Sequence, residues 1–354
     1  MDERIDAHFR AQRQRHLAEL VEFLRIPSCS ALPEHRQDIG AAAAWVAGQL
    51  TAAGIETVRV LETAGNPVVY GEWLAAAGKP TVLIYGHYDV QPPDPLDKWE
   101  TPPFEPAFRE NRIYARGVSD DKGPLFQAIK AIEALLLLDG RLPLNVKFLF
   151  EGEEEVGSPN LRPFIEAHAK LLACDLVVSA DGAMWRPNEP SLTVGSKGLT
   201  GLEIHVNTAR TDLHSGRHGG GVPNALHVLA GIVAGLHDEH GRVAVAGFYE
   251  NVRDLTPEEH QYFAGLPFDE EAYRQSLDLT ALVGEAGYST LERQWARPTL
   301  DVNGMWGGFQ GAGSKTVIPC DAYAKITCRL VPNQTPDEIL LTLENHILSH
   351  VPAG

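Results

Sequence analysis

Apolar positions along the chain change their period in a readable order. Over residues 4–24, Ile5, Phe9, Leu17, Leu20, Val21 and Leu24 recur at helical spacing, which predicts an amphipathic helix. Ile26-Pro27-Ser28 closes it, because the residue before a proline avoids helical backbone. A second, alanine-rich helix is expected over 38–53, with Gly54 as its stop signal. The period then shortens. Residues 57–61 and 67–73 read as strands, and Thr81-Val82-Leu83-Ile84-Tyr85 is a solid β-branched and aromatic run suited to a sheet interior. Similar runs follow at 145–150 and 175–179, the first preceded by a helical stripe through Phe126, Ile129, Ile132, Leu135 and Leu136. Strands alternating with helices predict an α/β domain, a mostly parallel sheet flanked by helices. Six prolines between 91 and 112 predict a long irregular loop after the 81–85 strand, and such loops are usually functional.

Beyond Gly195 the pattern changes. Residues 199–207 alternate apolar and polar, as a half-exposed antiparallel strand does. Residues 223–236 are helical, with Leu226, Leu229, Val233 and Leu236 on one stripe. Thr335-Pro336-Asp337-Glu338 reads as a capping box that starts a helix carrying Ile339, Leu340, Leu343 and Ile347. This mixture predicts a second, smaller α+β domain, with the chain divided into residues 1–195 and 196–354.

Composition excludes more than it assigns. The 354 residues are 44% hydrophobic and 22% charged, ordinary for a globular protein. A net charge of −17 provides no basic footprint for nucleic acid or an anionic membrane, so neither is expected as a partner. No apolar run approaches membrane-spanning length. Cys29, Cys174, Cys320 and Cys328 are scattered, which argues against a thiolate zinc site or a disulfide framework and fits a reducing cytoplasm.

The chemistry gathers at strand ends. His87 and Asp89, two apart where the 81–85 run stops, share a face, and a ligating histidine needs an orienting carboxylate. Alone, the pair could equally be a surface histidine and a turn-capping aspartate. Asp120 and Asp121 precede a helix start at Gly123-Pro124, where Asp121 or Ser119 could simply cap. Glu151, Glu153, Glu154 and Glu155 crowd the end of the next strand; a solvated helix start is the plain reading, relief of their repulsion by a cation the sharper one. Asp181 ends the third strand. Three strand ends delivering one imidazole and several carboxylates make the ligand set of a catalytic zinc, cobalt or manganese site. The acids exceed what one ion can use, so two ions sharing a carboxylate, with a spare glutamate as base, account for them better.

Three segments, Gly86-His87-Tyr88-Asp89-Val90, Ser119-Asp120-Asp121-Lys122-Gly123 and Glu154-Glu155-Val156-Gly157-Ser158, resemble the co-catalytic zinc exopeptidases of the carnosinase, cytosolic nonspecific dipeptidase and aminoacylase type. The dipeptidase branch is the most similar, through Asp212-Leu213-His214-Ser215-Gly216, Lys315-Thr316-Val317-Ile318-Pro319 and Arg329-Leu330-Val331-Pro332-Asn333. That resemblance implies that His87 and Asp181 bind one ion, Asp120 bridges two, and Glu155 binds the second. It implies Glu154 as general base, Asp89 as the group orienting His87, and a cis bond between Asp120 and Asp121. It also implies that the second domain is a lid through which a homodimer forms. His214 would stabilise the oxyanion in a neighbouring subunit's site, while Arg329 and Thr316 bind the substrate, Arg329 at its C-terminal carboxylate. The expected activity is metal-dependent hydrolysis of dipeptides or short peptides. An N-acyl-amino-acid amidohydrolase, or a non-catalytic metal or peptide binder, is the alternative. In the family the chain returns from the lid to the first domain with a final histidine for the second ion. No residue here matches it, His346 and His350 reading as surface positions, so a weakened second site is expected.

Overall fold

The computed structural model describes residues 2–182, 184, 185, 189 and 191–352. The chain divides into two compact units, Met1–Leu192 and Thr193–Gly354. In the first, chain order is α1 (Glu3–Leu24), α2 (Arg36–Ala52), β1 (Thr57–Leu61), β2 (Val68–Trp73) and β3 (Thr81–His87). There follow β4 (Ala107–Arg109), β5 (Arg112–Tyr114), α3 (Lys122–Asp139), β6 (Asn145–Glu151), α4 (Leu161–Ala167), α5 (Ala169–Leu172) and β7 (Leu176–Ser179).

Five strands form one sheet in the order β1-β2-β6-β3-β7. β3 lies parallel to both β6 and β7, whereas β2 is antiparallel to β1 and to β6. The sheet is therefore mixed, with β2 alone reversed. The connections on either side of β2 are too short for a crossover helix, which parallel neighbours in sequence require. Alternation along β6 serves both faces. Val146, Phe148 and Phe150 pack with Ile39, Val46 and Leu50 of α2 and Leu125 and Ile129 of α3. Leu149 faces the other way, with Tyr70, Leu83, Phe164 and Leu172.

Two expectations need correction. The 91–112 segment is not wholly irregular: β4 and β5 pair as a hairpin, and Glu110 and Asn111 take φ of 48° and 63° in a two-residue turn. β7, expected as a buried strand, is exposed along its length, with Leu176 and Val177 each 57% exposed. Among the described residues it is the edge of the sheet, paired to β3 on one side only.

The second unit contains β8 (Gly198–Asn207), β9 (Leu213–His214), α6 (Ser215–His218), α7 (Ala225–Ala234), α8 (Pro257–Ala264), α9 (Glu270–Ser276) and α10 (Thr290–Trp295). β10 (Thr299–Gly307), β11 (Val317–Ile318), β12 (Asp321–Leu330) and α11 (Pro336–Ser349) complete it. An antiparallel sheet runs β10-β12-β8, and β9 pairs with β11. Ala322, Ala324, Ile326, Cys328 and Leu330 of β12 pack with Leu229 and Ile232 of α7 and with Leu343 and Ile347 of α11. Tyr323, Lys325, Thr327 and Arg329 alternate to the open face. α11 begins at Pro336 as expected, but Thr335 Oγ1 donates to the Glu338 carboxylate at 2.7 Å instead of capping a backbone amide.

Candidate metal centre

The parallel register places His87 opposite Glu151 and Tyr85 opposite Ser179, so β3, β6 and β7 end at one edge of the sheet. His87 is fully buried there. Its Nε2 lies 3.0 Å from Asp120 Oδ1 and 3.8 Å from Asp181 Oδ2. Ligand atoms of these three residues all fall within 4.8 Å of one another. On the other side of the ring, Nδ1 is 3.1 Å from the Asp89 carbonyl oxygen and 3.3 Å from Asp89 Oδ1. Both are acceptors, so with a metal ion on Nε2 the ring's remaining proton would sit on Nδ1. Burial alone would lower the imidazole pKa, but the carboxylates of Asp89, Asp121 and Asp181 outweigh it and push it up to about 10.

The four glutamates separate into two pairs. Glu151 Oε1 accepts from the Tyr85 hydroxyl at 2.7 Å and from Ser158 Oγ at 2.8 Å. Glu153 accepts the Asn66 backbone N–H at 3.1 Å and Asn160 Nδ2 at 2.9 Å. Both are buried and structural. Glu154 and Glu155 start a 3₁₀ turn over Glu154–Val156. Their backbone N–H groups donate to Asp89, Glu154 to Oδ1 at 3.2 Å and Glu155 to Oδ2 at 3.1 Å. The Glu155 carboxylate accepts from Gln91 Nε2 at 2.7 Å. Burial raises the pKa of Glu154, reinforced by Glu155, Asp181 and Asp89 against the pull of His87. Burial also raises that of Glu155, with Asp120 among the acids it feels.

Sequence reasoning passed over three positions. Gln91 holds Glu155. Asp121, read as a helix cap, makes no side-chain capping bond; it is buried, and its Oδ2 accepts the His87 backbone N–H at 3.0 Å. Burial pushes its pKa up to about 7. Its Oδ2 also lies 2.7 Å from where a β-carbon on Gly86 would stand. Lys122, which entered only as a member of the Ser119–Gly123 segment, is wholly buried. The one available signal was the unbroken Asp120-Asp121-Lys122 triplet, too charged for a simple cap. The Asp120–Asp121 peptide is cis.

One imidazole and two carboxylates, without a thiolate, fit zinc, manganese or cobalt, and a cation there would compensate the crowded acids. Glu155 is coupled electrostatically to Asp120 but is outside the ligand group that His87, Asp120 and Asp181 form among the described residues.

The remaining sequence candidates belong to the second unit. His214 is exposed in β9 opposite Val317, and the Thr316 carbonyl accepts the Ser215 N–H at 3.1 Å, so the two motifs adjoin. Arg329 is exposed on the open face of β12, between Thr299 of β10 and Leu199 of β8.

Residues 83–317 match the family model for peptidase family M20/M25/M40. The chain belongs to this family. It is 35% identical over 284 residues to the Cys-Gly metallodipeptidase dug1 of Schizosaccharomyces pombe, covering 79% of this chain and 60% of that protein. It is 32% identical over 283 residues to the human Beta-Ala-His dipeptidase, covering 79% of this chain and 56% of the relative. The chain thus spans less than two thirds of the length of these M20 relatives. Among solved structures, an M20 family metallo-carboxypeptidase from Sulfolobus solfataricus superposes with a TM-score of 0.82 at 38% identity, over 96% of this chain and 76% of that one. The dipeptidase branch indicated by the motifs is also the branch of the curated M20 relatives.

Proposed function

We propose that this chain carries the metal-binding and lid portions of an M20 peptidase that hydrolyses dipeptides or short peptides with a free C-terminal carboxylate. The observation that carries the reading is the His87, Asp120 and Asp181 donor group, with Glu154 beside it on a turn pinned by Asp89. A divalent ion held by those three residues would polarise the scissile carbonyl and let water ionise near neutral pH. Glu154 is assigned as general base, taking the proton of the attacking water and returning it to the leaving amine. Its raised pKa suits both directions of that transfer. Asp89 fixes the His87 tautomer and holds the Glu154 turn.

In the second unit, Arg329 and Thr316 are assigned to the substrate, Arg329 pairing with its carboxylate, and His214 to the oxyanion in the site of a second copy of the chain. A homodimer through this unit is part of the proposal. Zinc is the ion favoured, with manganese or cobalt as substitutes; a second ion on Asp120 and Glu155 would be held more weakly. Four free cysteines support a cytoplasmic location. Independently, no described helix is long and apolar enough to cross a membrane.

A second reading, C-terminal trimming of longer peptides, is favoured by the 38% identity to the Sulfolobus metallo-carboxypeptidase. Turnover of free dipeptides, their C-terminal amides, N-acyl amino acids and tripeptides, with added zinc, manganese or cobalt, separates the readings. Cleavage of free dipeptides but not amides supports the proposal. Preference for tripeptides supports the carboxypeptidase, and activity confined to N-acyl amino acids makes the chain a deacylase. Metal uptake without any turnover leaves a binder.

A further inference from the structure

Asp120, Asp121 and Lys122 make three different attachments. Asp120 faces His87 Nε2, and Asp121 accepts the His87 backbone N–H. Lys122 turns away from both acids. Its Nζ donates to the carbonyl oxygens of Phe23 at 3.1 Å and Ile26 at 2.5 Å, and stands 4.9 Å from the centre of the Phe23 ring. Among the described residues no carboxylate lies within ion-pair distance of it. The carbonyls it meets belong to the end of α1 and the segment just beyond. Each already accepts one backbone N–H, Phe23 from Ile26 at 3.2 Å and Ile26 from Ser28 at 2.9 Å, so the ammonium is a second donor, set where the helix end carries partial negative charge. α1 is independently tied to α3 by Arg15–Glu133 at 2.9 Å and Lys130–Glu19 at 2.8 Å.

Burying an ammonium without a counter-ion is costly, and an apolar side chain of the same length would fill the volume. What the lysine adds is a fixed connection between the N-terminal helix and the loop that presents Asp120. We infer that Lys122 is a positioning residue of the metal centre: its ammonium, locked on the carbonyls at the end of α1, holds Asp120 within reach of His87 Nε2. The inference rests on the reading of His87, Asp120 and Asp181 as metal ligands.

Cobalt(II) titrated into the full chain, read by its visible absorption and by competition with a chelator, tests it. Lys122→Met is expected to weaken cobalt binding about tenfold or more, as loss of supporting contacts around metal ligands does, and to change the absorption band at saturation. Lys130→Met is the control. Lys130 is another buried lysine of α3 that reaches α1, through Glu19, without touching the metal loop. It is expected to keep wild-type cobalt affinity and the wild-type band. Should Lys122→Met fail to fold, Lys122→Gln, too short to reach both carbonyls, is titrated in its place with the same expectation. Unchanged affinity in the Lys122 variant, or equal weakening in the Lys130 variant, overturns the inference alone. A wild-type chain that binds no cobalt overturns the ligand reading beneath it as well.

Discussion

Asp89 Oδ1 accepts the backbone N–H of Glu154 at 3.2 Å. The same carboxylate stands 3.3 Å from His87 Nδ1 and takes the Glu155 N–H on its other oxygen. One buried side chain therefore sets both the imidazole and the turn that carries the assigned base. Asp89→Ala is expected to lower metal affinity by about 10–100-fold, the usual consequence of losing a ligand's orienting carboxylate. Because the turn is released too, turnover at saturating metal should also fall. Full recovery of activity by excess metal would show that Asp89 serves His87 alone.

Glu154 and Glu155 are adjacent but have different surroundings. Glu154→Gln is expected to leave metal content unchanged while reducing turnover on the order of a hundredfold or more, as for loss of a general base. Glu155→Gln should lower occupancy by the second, weaker ion at high metal concentration, since the Glu155 carboxylate feels Asp120 and is steered by Gln91. Metal analysis of the two variants at high metal concentration decides it; identical metal content there would reverse or erase the assignment.

Metal stoichiometry follows from the ligand group. Three donors converge at His87, Asp120 and Asp181, the number a catalytic zinc usually takes from protein. After dialysis the chain is expected to retain about one ion per molecule, with a second binding only at high metal concentration. Elemental analysis with calorimetric titration measures both. Two ions of equal affinity would mean that Glu155 moves into the group with a further ligand.

Arg329→Ala should raise KM for free dipeptides far more than for their C-terminal amides. Losing a charge-assisted bidentate pair weakens binding of the carboxylate, whereas an amide offers no charge to lose. Steady-state kinetics on matched substrates gives the comparison. An equal rise for both would remove Arg329 from carboxylate recognition.

Stability of the second unit depends on a different arginine. Arg297 is 3% exposed, bonds Glu285 through Nε at 2.9 Å and Nη2 at 2.8 Å, and stacks 4.3 Å from the Tyr288 ring centre. Glu285→Ala leaves that guanidinium buried without its carboxylate and is expected to cost about 3–5 kcal/mol. Chemical denaturation measures the loss, and metal binding by the first unit should be unaffected.

The parts of this site that were legible in the sequence are those dictated by local geometry. A two-residue spacing at a strand end puts His87 and Asp89 together whatever surrounds them, and solid apolar runs announce β3 and β6. The inward turn of Glu151 and Glu153 was not legible, because it depends on Tyr85, Ser158, Asn66 and Asn160, which adjoin them only after folding. The reversal of β2 was readable in principle from its short connections, but its composition resembles that of the mutually parallel strands β3 and β6. The exposure of β7 was hidden for the opposite reason. Leu176, Val177 and Val178 carry the signature of a buried strand, yet only one neighbour pairs with them among the described residues. The β4–β5 hairpin was concealed because its turn uses Glu110 and Asn111 where glycine is the usual signal.

Gly86 and Gly152 carry no chemistry, and a substitution at either would ordinarily be ranked harmless beside changes to the acids. At Gly86, the first carbon of any side chain would enter the space filled by Asp121 Oδ2; at Gly152 it would stand 2.5 Å from the Tyr88 hydroxyl oxygen and 2.6 Å from the edge of its ring. Tyr88 lies between His87 and Asp89 and is itself fully buried, so it has no room to withdraw. Natural variants at these two glycines should therefore be scored with the metal ligands when their effects are judged. A carrier of Gly152→Ala would be expected to present as a loss of metal uptake in a protein whose every acid and imidazole is intact.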